Sequence, residues 1–305
     1  MGRHYLPPVA RVLSSSHGTN RGHFGPGEWA LFLGIGVIWG SSFLLIEIGL
    51  EAFSPALVTW LRVSTGALTL LLLPRARKRI EREDLPRVLL LSVSWVAVPF
   101  SLFPIAQQWI TSATTGMLNG LMPLAATAIT ALLLRELPTR VQVTGLVLGI
   151  LGGIGIAAPS MGQGASEARG VLLVAGATLL YGFSISIATP LQQRYGSLPV
   201  MARMLAFASI WTAPLGLAGL PDAWPTGPTI ATIVLGALNT GIAYLVMGAL
   251  ISRVGSTRGS FAIYLIPAVA VVLGVVFLDE VVSGWAIGGV ALVILGAALA
   301  SRREA

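Results

Sequence analysis

Ten apolar stretches, each about as long as a bilayer-crossing helix, constrain this chain more than any other feature. They fall at about 29–50, 55–74, 86–109, 113–134, 141–159, 170–190, 199–220, 229–251, 257–278 and 284–301. A hydrocarbon core of roughly 30 Å is spanned by about 20 apolar residues of helix. Backbone groups in lipid must bond internally, so helices fit and open strands do not. A transmembrane barrel would show short alternating segments, whereas these runs are continuously apolar. Composition agrees: 55% of the 305 residues are apolar and 10% are charged, against about 25% charged in soluble domains. Mean hydropathy is +0.83. Too few charges remain to solvate a globule, and a disordered chain would be polar and highly charged.

The same residues exclude several chemistries. There is no cysteine, which removes disulfides, thiolate metal sites and cysteine nucleophiles. His4, His17 and His23 all precede the first apolar run, leaving no imidazole within the spans for a zinc site or a Ser–His–Asp triad. The expectation is therefore no metal, no cofactor and no enzymatic centre. A net charge of +7 would suit a nucleic-acid partner, but its placement points to a membrane instead. Residues 1–27 are broken by Pro7, Pro8 and Arg11 where a signal peptide would be continuously apolar. They read as a disordered cytosolic tail. With that tail inside and ten crossings, 17 of the 19 basic residues fall in cytosolic segments. Arg169 alone falls in an outer loop and Arg62 within a span, while the outer loops hold Glu51, Glu167, Asp222, Asp279 and Glu280. This positive-inside pattern predicts a plasma (inner) membrane protein with both termini cytoplasmic.

The chain also repeats itself. Residues 123–137 (PLAATAITALLLREL) match 267–281 (PAVAVVLGVVFLDEV), with Pro123 and Glu136 answering to Pro267 and Glu280 at an offset of 144. The same offset relates Pro55 to Pro199, Ser112 to Ser256, Gly145 to Gly289 and Gly152 to Gly296. Trp39-Gly40 answers to Tyr181-Gly182 at 142. The predicted organisation is a first repeat at 28–159, an outer linker at 160–169, a second repeat at 170–301 and a short tail at 302–305. Five spans is an odd number, so the second half must enter the membrane from the opposite side. The predicted fold is all-α, ten transmembrane helices as two inverted five-helix repeats, an architecture that recurs in secondary transporters.

At this point the sequence resembles a family. Trp39-Gly40-Ser41-Ser42-Phe43 in the first span, Pro55 with Arg62 in the second, the Pro123-to-Glu136 helix followed by a glycine-rich span, and its repetition at Pro267 to Glu280 are similar to the EamA family of the drug/metabolite transporter superfamily. The resemblance covers nearly everything after residue 28. It implies a secondary transporter of small metabolites, in which the first four helices of each half surround a central cavity and the fifth and tenth pack peripherally. Arg62 departs from the repeat, since Ala206 stands at the corresponding place in the second half.

Several residues are candidates for the transport chemistry. Arg62 lies about 10 Å deep at 1.5 Å per residue, where a charge must be paired or face water. It is expected to pair with Glu47 or to meet a substrate carboxylate, or else to be a structural tie. Glu47 is also the candidate for proton coupling. Trp39, Ser41, Ser42, Gln107, Thr115, Asn119, Tyr181, Asn239, Tyr244 and Tyr264 are expected to line a cavity or, alternatively, to tie helices together by hydrogen bonds. Glu136 and Glu280 are expected either to gate opposite mouths through ion pairs or simply to pair with a nearby arginine. Pro123 and Pro267 are expected to kink or hinge their spans. Gly145, Gly149 and Gly153, with Gly284 and Gly288, predict close packing of spans five and ten, or a contact between two copies of the chain.

These features favour export of amino acids, related carboxylate-bearing solutes or toxic compounds by alternating access, driven by protons or by exchange. No Walker motif is present. Import of a sugar, vitamin or purine is the second reading. A membrane enzyme and a non-transporting membrane protein are more distant ones.

Overall fold

The computed structural model describes residues 23–134, 138–162 and 164–300, and all regular structure among them is helical. In chain order the helices are α1 (Pro26–Leu50), α2 (Pro55–Leu71), α3 (Arg82–Ala106), α4 (Ser112–Leu133), α5 (Arg140–Met161), α6 (Ala165–Tyr195), α7 (Ser197–Ala218), α8 (Thr226–Val254), α9 (Arg258–Leu278) and α10 (Gly284–Ala300). Eight are long and apolar enough to cross a membrane; α2 and α10, with 17 residues each, fill the two remaining apolar stretches. The chain is thus a multi-pass membrane protein. Residues 1–22 of the N-terminal tail and Glu136 lie outside the described residues, whereas Pro26 and Gly27, expected in the tail, form the start of α1.

Local chemistry sets the helix starts. Ser54 accepts a hydrogen bond from Leu57 N ahead of Pro55, and Thr111 accepts one from Thr114 N. Thr139 and Gln142 exchange bonds as a capping box at the start of α5. The turns into α7 and α9 pass through Gly196 and Gly255, each at φ 87°, a conformation that only glycine adopts without strain.

Most of the long helices near the centre are not regular. In α3, residues Ser92–Ala97 form a π turn, and in α8 Ala237–Ile242 form another, 145 residues later. In the first, the wider turn makes room for Pro99, whose ring would otherwise strike the carbonyl of Trp95. α4 breaks at Gly120–Leu121 and α9 contains a tight turn at Phe261–Tyr264. Pro123 and Pro267 lie in the first turn of the helical segment that follows, where the missing N–H costs nothing.

Glycine allows the closest helix contacts. α5 runs antiparallel to α10, with Gly145 against Gly296 and Gly152 against Gly289. A Cβ on Gly152 would lie 2.5 Å from the Gly289 carbonyl oxygen. The glycines that make this contact on α10 are therefore Gly289 and Gly296. The expected pair, Gly284 and Gly288, has open space around it, because it lies on another side of the helix. Gly40 of α1 receives Val269 of α9, and Gly182 of α6 receives the backbone of Ala125 in α4. α2 meets α7 through Ser64 and Ser209, whose hydroxyls are 3.1 Å apart.

One end of the bundle is basic and tied across. Arg203 donates to the carbonyls of Ala76 and Arg77. Buried Asp84 accepts from Arg194 and from the Tyr195 hydroxyl, each at 2.7 Å. Arg253 approaches Glu28 at 4.0 Å.

These contacts make a test of the packing. Gly152→Leu forces side-chain atoms into backbone and is expected to destabilise the protein by about 1–3 kcal/mol. Gly288→Leu enters open space and is expected to leave it unchanged. Melting temperatures of the two purified variants in detergent check the difference.

Candidate functional site

Arg62 is the eighth residue of the 17 in α2, so it sits halfway along its helix. Only 7% of it is exposed. Its Nε donates to Thr240 Oγ1 at 3.1 Å, and its guanidinium carbon stands 3.9 Å from the centre of the Phe100 ring. Thr240 belongs to the π turn of α8, and its hydroxyl in turn donates to Leu235 O. The ion pairs among the described residues join Arg87 to Asp84, Arg194 to Glu81 and Asp84, and Arg253 to Glu28. Arg62 takes part in none of them.

The expected Arg62–Glu47 pair is therefore not formed. Glu47 lies three residues from the end of α1, about 5 Å, whereas Arg62 lies seven residues into α2, about 10 Å. The glutamate accepts instead from Gln107 Nε2 at 2.9 Å, and the same nitrogen donates to Phe43 O at 2.9 Å.

Arg62 opens onto a cavity of about 100 Å³. Of the residues singled out from sequence, Trp39, Ser42, Asn119, Tyr181, Asn239 and Tyr244 share its wall. Asn239 donates through Nδ2 to Ile38 O and to the hydroxyls of Ser41 and Ser42. A carbonyl oxygen only accepts, so the amide nitrogen must face Ile38, and Oδ1 is turned away. The Oδ1 atoms of Asn239 and Asn119 are both buried without a hydrogen-bond partner. An unpartnered buried acceptor is costly, and these two stand on residues of the same cavity as an unpaired cation.

Four expected cavity residues do other work. Ser41 holds the Asn239 amide from behind, and Gln107 binds Glu47. The Thr115 hydroxyl donates to Thr111 O, and Tyr264 packs against Phe261 with ring centres 5.7 Å apart. Conversely, Trp95, Phe100, Phe103 and Met122 line the cavity without having been expected there. Trp95 and Phe100 are five residues apart, about 140° around a regular α-helix. The π turn between them brings both onto one wall. No regular periodicity would have paired them.

At the basic end a wider cavity of about 740 Å³ opens, with Arg75, Lys78, Tyr195, Ser197 and Ser252 on its wall. Tyr244 lines both cavities. At the opposite end Glu280 bridges to α4. Its two carboxylate oxygens accept from Ser112 N and Ala113 N, each at 2.8 Å. Its partner is thus the unsatisfied first turn of another helix, not an arginine. That arrangement satisfies two orphan donors and complements the helix dipole.

Glu280→Ala should therefore leave the Ser112 and Ala113 N–H groups without their acceptor, although the Thr111 cap remains, and lower stability by about 1–2 kcal/mol, while Glu280→Gln, which retains one acceptor, should fall between. Thermal unfolding of the purified variants in detergent reads the order.

Comparison with known proteins bears on this arrangement. The sequence model of the EamA-like transporter family matches residues 28–158 and again 168–302. A probable terminal-alkyne amino-acid exporter of Streptantibioticus cattleyicolor is 28% identical over 280 residues, covering 90% of this chain and 93% of that protein. An S-adenosylmethionine/S-adenosylhomocysteine transporter of Chlamydia muridarum is 27% identical over 284 residues, covering 88% and 89%. One solved crystal structure shares the fold, with a TM-score of 0.62 at 20% identity over 90% of this chain and 96% of the other.

Proposed function

The chain belongs to the EamA-like transporter family, and from that premise we propose that it exports amino acids or related carboxylate-bearing solutes by alternating access. Family membership and transporter-named relatives point to transport rather than to an enzyme. The observation that carries the choice of solute is the buried Arg62 guanidinium, which lines the inner cavity and pairs with no carboxylate among the described residues. A cation at that depth costs at least a few kcal/mol unless a counter-charge arrives. A solute carboxylate would supply it through a charge-assisted, bidentate contact. The free acceptors of Asn119 and Asn239 suit the ammonium group of the same solute, and the aromatic walls suit its side chain. Of the relatives named above, one is a probable terminal-alkyne amino-acid exporter and the other an S-adenosylmethionine/S-adenosylhomocysteine transporter, which supports this choice of solute.

In this reading ten helices cross the membrane as two inverted repeats with both termini cytoplasmic. Paired contacts support it: Gly145 with Gly296 and Gly152 with Gly289 exchange under the 144-residue offset, as do Gly40 with Val269 and Gly182 with Ala125 at nearly the same offset. The two π turns, 145 residues apart, agree with this. The wide cavity beside Arg75 and Lys78 then faces the cytosol, and the Glu280 bridge to α4 closes the outer mouth. Release outward requires that bridge to part. The energy source is a proton gradient or exchange, with Glu47 as the coupling carboxylate in the first case.

Culture medium and cell extract, compared without a preselected target, test the proposal in strains with the intact protein, with Arg62→Ala at matched membrane levels, and with empty vector. A carboxylate-bearing solute enriched in the medium by the intact protein is expected, and Arg62→Ala should reduce that enrichment tenfold or more, the loss of about 1.5–3 kcal/mol for a charged hydrogen bond. Accumulation of the solute inside cells would overturn export. Equal export by Arg62→Ala would overturn the role of the arginine.

A further inference from the structure

We infer that the Tyr244 ring is the partition between the wide cytosolic cavity and the inner cavity, and that it sets the size of solute that reaches Arg62. The inference rests on reading these cavities as the solute path. Tyr244 lines both of them. Every other wall residue of the wide cavity is on the basic side: Arg75 and Lys78 beyond the end of α2, residues 195–199 at the α6–α7 turn, and Leu245 to Ser252 on the last turns of α8. The inner wall is mid-bundle and largely aromatic. Tyr244 stands two residues past the π turn that carries Asn239 and Thr240, so the element that contacts Arg62 also aims this ring. Its other face meets Trp39 edge to face, with ring centres 6.2 Å apart. A swinging ring would break that contact and the hydrogen bond between the Tyr244 hydroxyl and Trp95, and so join a cavity of about 740 Å³ to one of about 100 Å³.

The other half carries an aromatic ring at the matching place. Phe100 precedes Tyr244 by 144 residues, follows the π turn of α3, and lies under the Arg62 guanidinium with only 4% of its surface exposed. Tyr244, by contrast, is only partly buried. The ring at the open end of the path is thus the less buried of the two.

The natural absence of cysteine makes the test direct. Ser42→Cys places a thiol on the inner cavity and Ser252→Cys places one on the wide cavity. Each is made in the full-length chain with Tyr244, Tyr244→Ala or Tyr244→Phe. The purified proteins are labelled with 2-aminoethyl methanethiosulfonate, a small reagent, and with fluorescein maleimide, a bulky one. Tyr244→Ala is expected to raise the bulky-reagent rate at Ser42→Cys tenfold or more. Tyr244→Phe should behave as the parent, because the ring and not the hydroxyl does the blocking. Ser252→Cys should react equally in all three, and unchanged melting temperatures in detergent report that the variants are folded. An unchanged bulky-reagent rate at Ser42→Cys in Tyr244→Ala, or equal opening by Tyr244→Phe, would overturn the inference. No solute is needed, so a failure here is distinct from a failure of the export comparison.

Discussion

A peptide group in hydrocarbon has no water to bond, so every turn of these helices must close its hydrogen bonds within the protein. The irregular turns are consequently informative, because each needs a local substitute. In α8 the hydroxyl of Thr240 back-bonds to Leu235 O across the π turn. At the break in α1 Ser41 donates to Ile38 O, and that carbonyl also receives the Asn239 amide. In α3 the π turn accommodates Pro99. These departures from regularity cluster around Arg62 and the inner cavity. Asn239, which bonds the Ile38 carbonyl at the break in α1, thereby also forms a wall of the inner cavity.

Arg62 concentrates the electrostatic consequence. A guanidinium 7% exposed at mid-helix, held by one threonine hydroxyl and an aromatic face, is a cation with unspent bonding capacity. Its corresponding position in the second half is Ala206, which is partly buried on α7 and carries no charge. The two halves are thus alike in packing and unlike in chemistry. In the proposed transport cycle, similar packing would let the halves exchange shapes, and a single charge would give the path between them one binding centre instead of two.

Much of the fold was legible because lipid imposes a simple length and polarity rule. All the apolar stretches became helices, Pro123 and Pro267 fell at helix irregularities, and Gly145 and Gly149 mark a close contact with Gly296 of α10, whereas Gly153 faces Leu121 instead. The site was only partly legible. Trp39, Ser42, Arg62, Asn119, Tyr181 and Asn239 do converge. Phe103 and Met122 read as ordinary span residues, and Trp95 with Phe100 were hidden by a π turn that breaks the 3.6-residue period. Glu47 and Arg62 looked level by counting residues from the outside, yet they differ by about a helical turn, and each has a different partner.

The amino-acid sequence alone therefore determined the helical, membrane-spanning class, the repeat, and which few polar residues are buried at depth. Those follow from hydrophobic transfer and from chain periodicity, both of which are local properties. The tertiary structure decided which polar groups meet. It set Arg62 on Thr240 and Phe100 rather than on Glu47, turned Glu280 onto the first turn of α4 rather than onto an arginine, and placed Tyr244 on both cavities. Partner choice at these points depends on helix rotation and depth to within a few ångströms, and those are set by glycine contacts and π turns from distant parts of the chain.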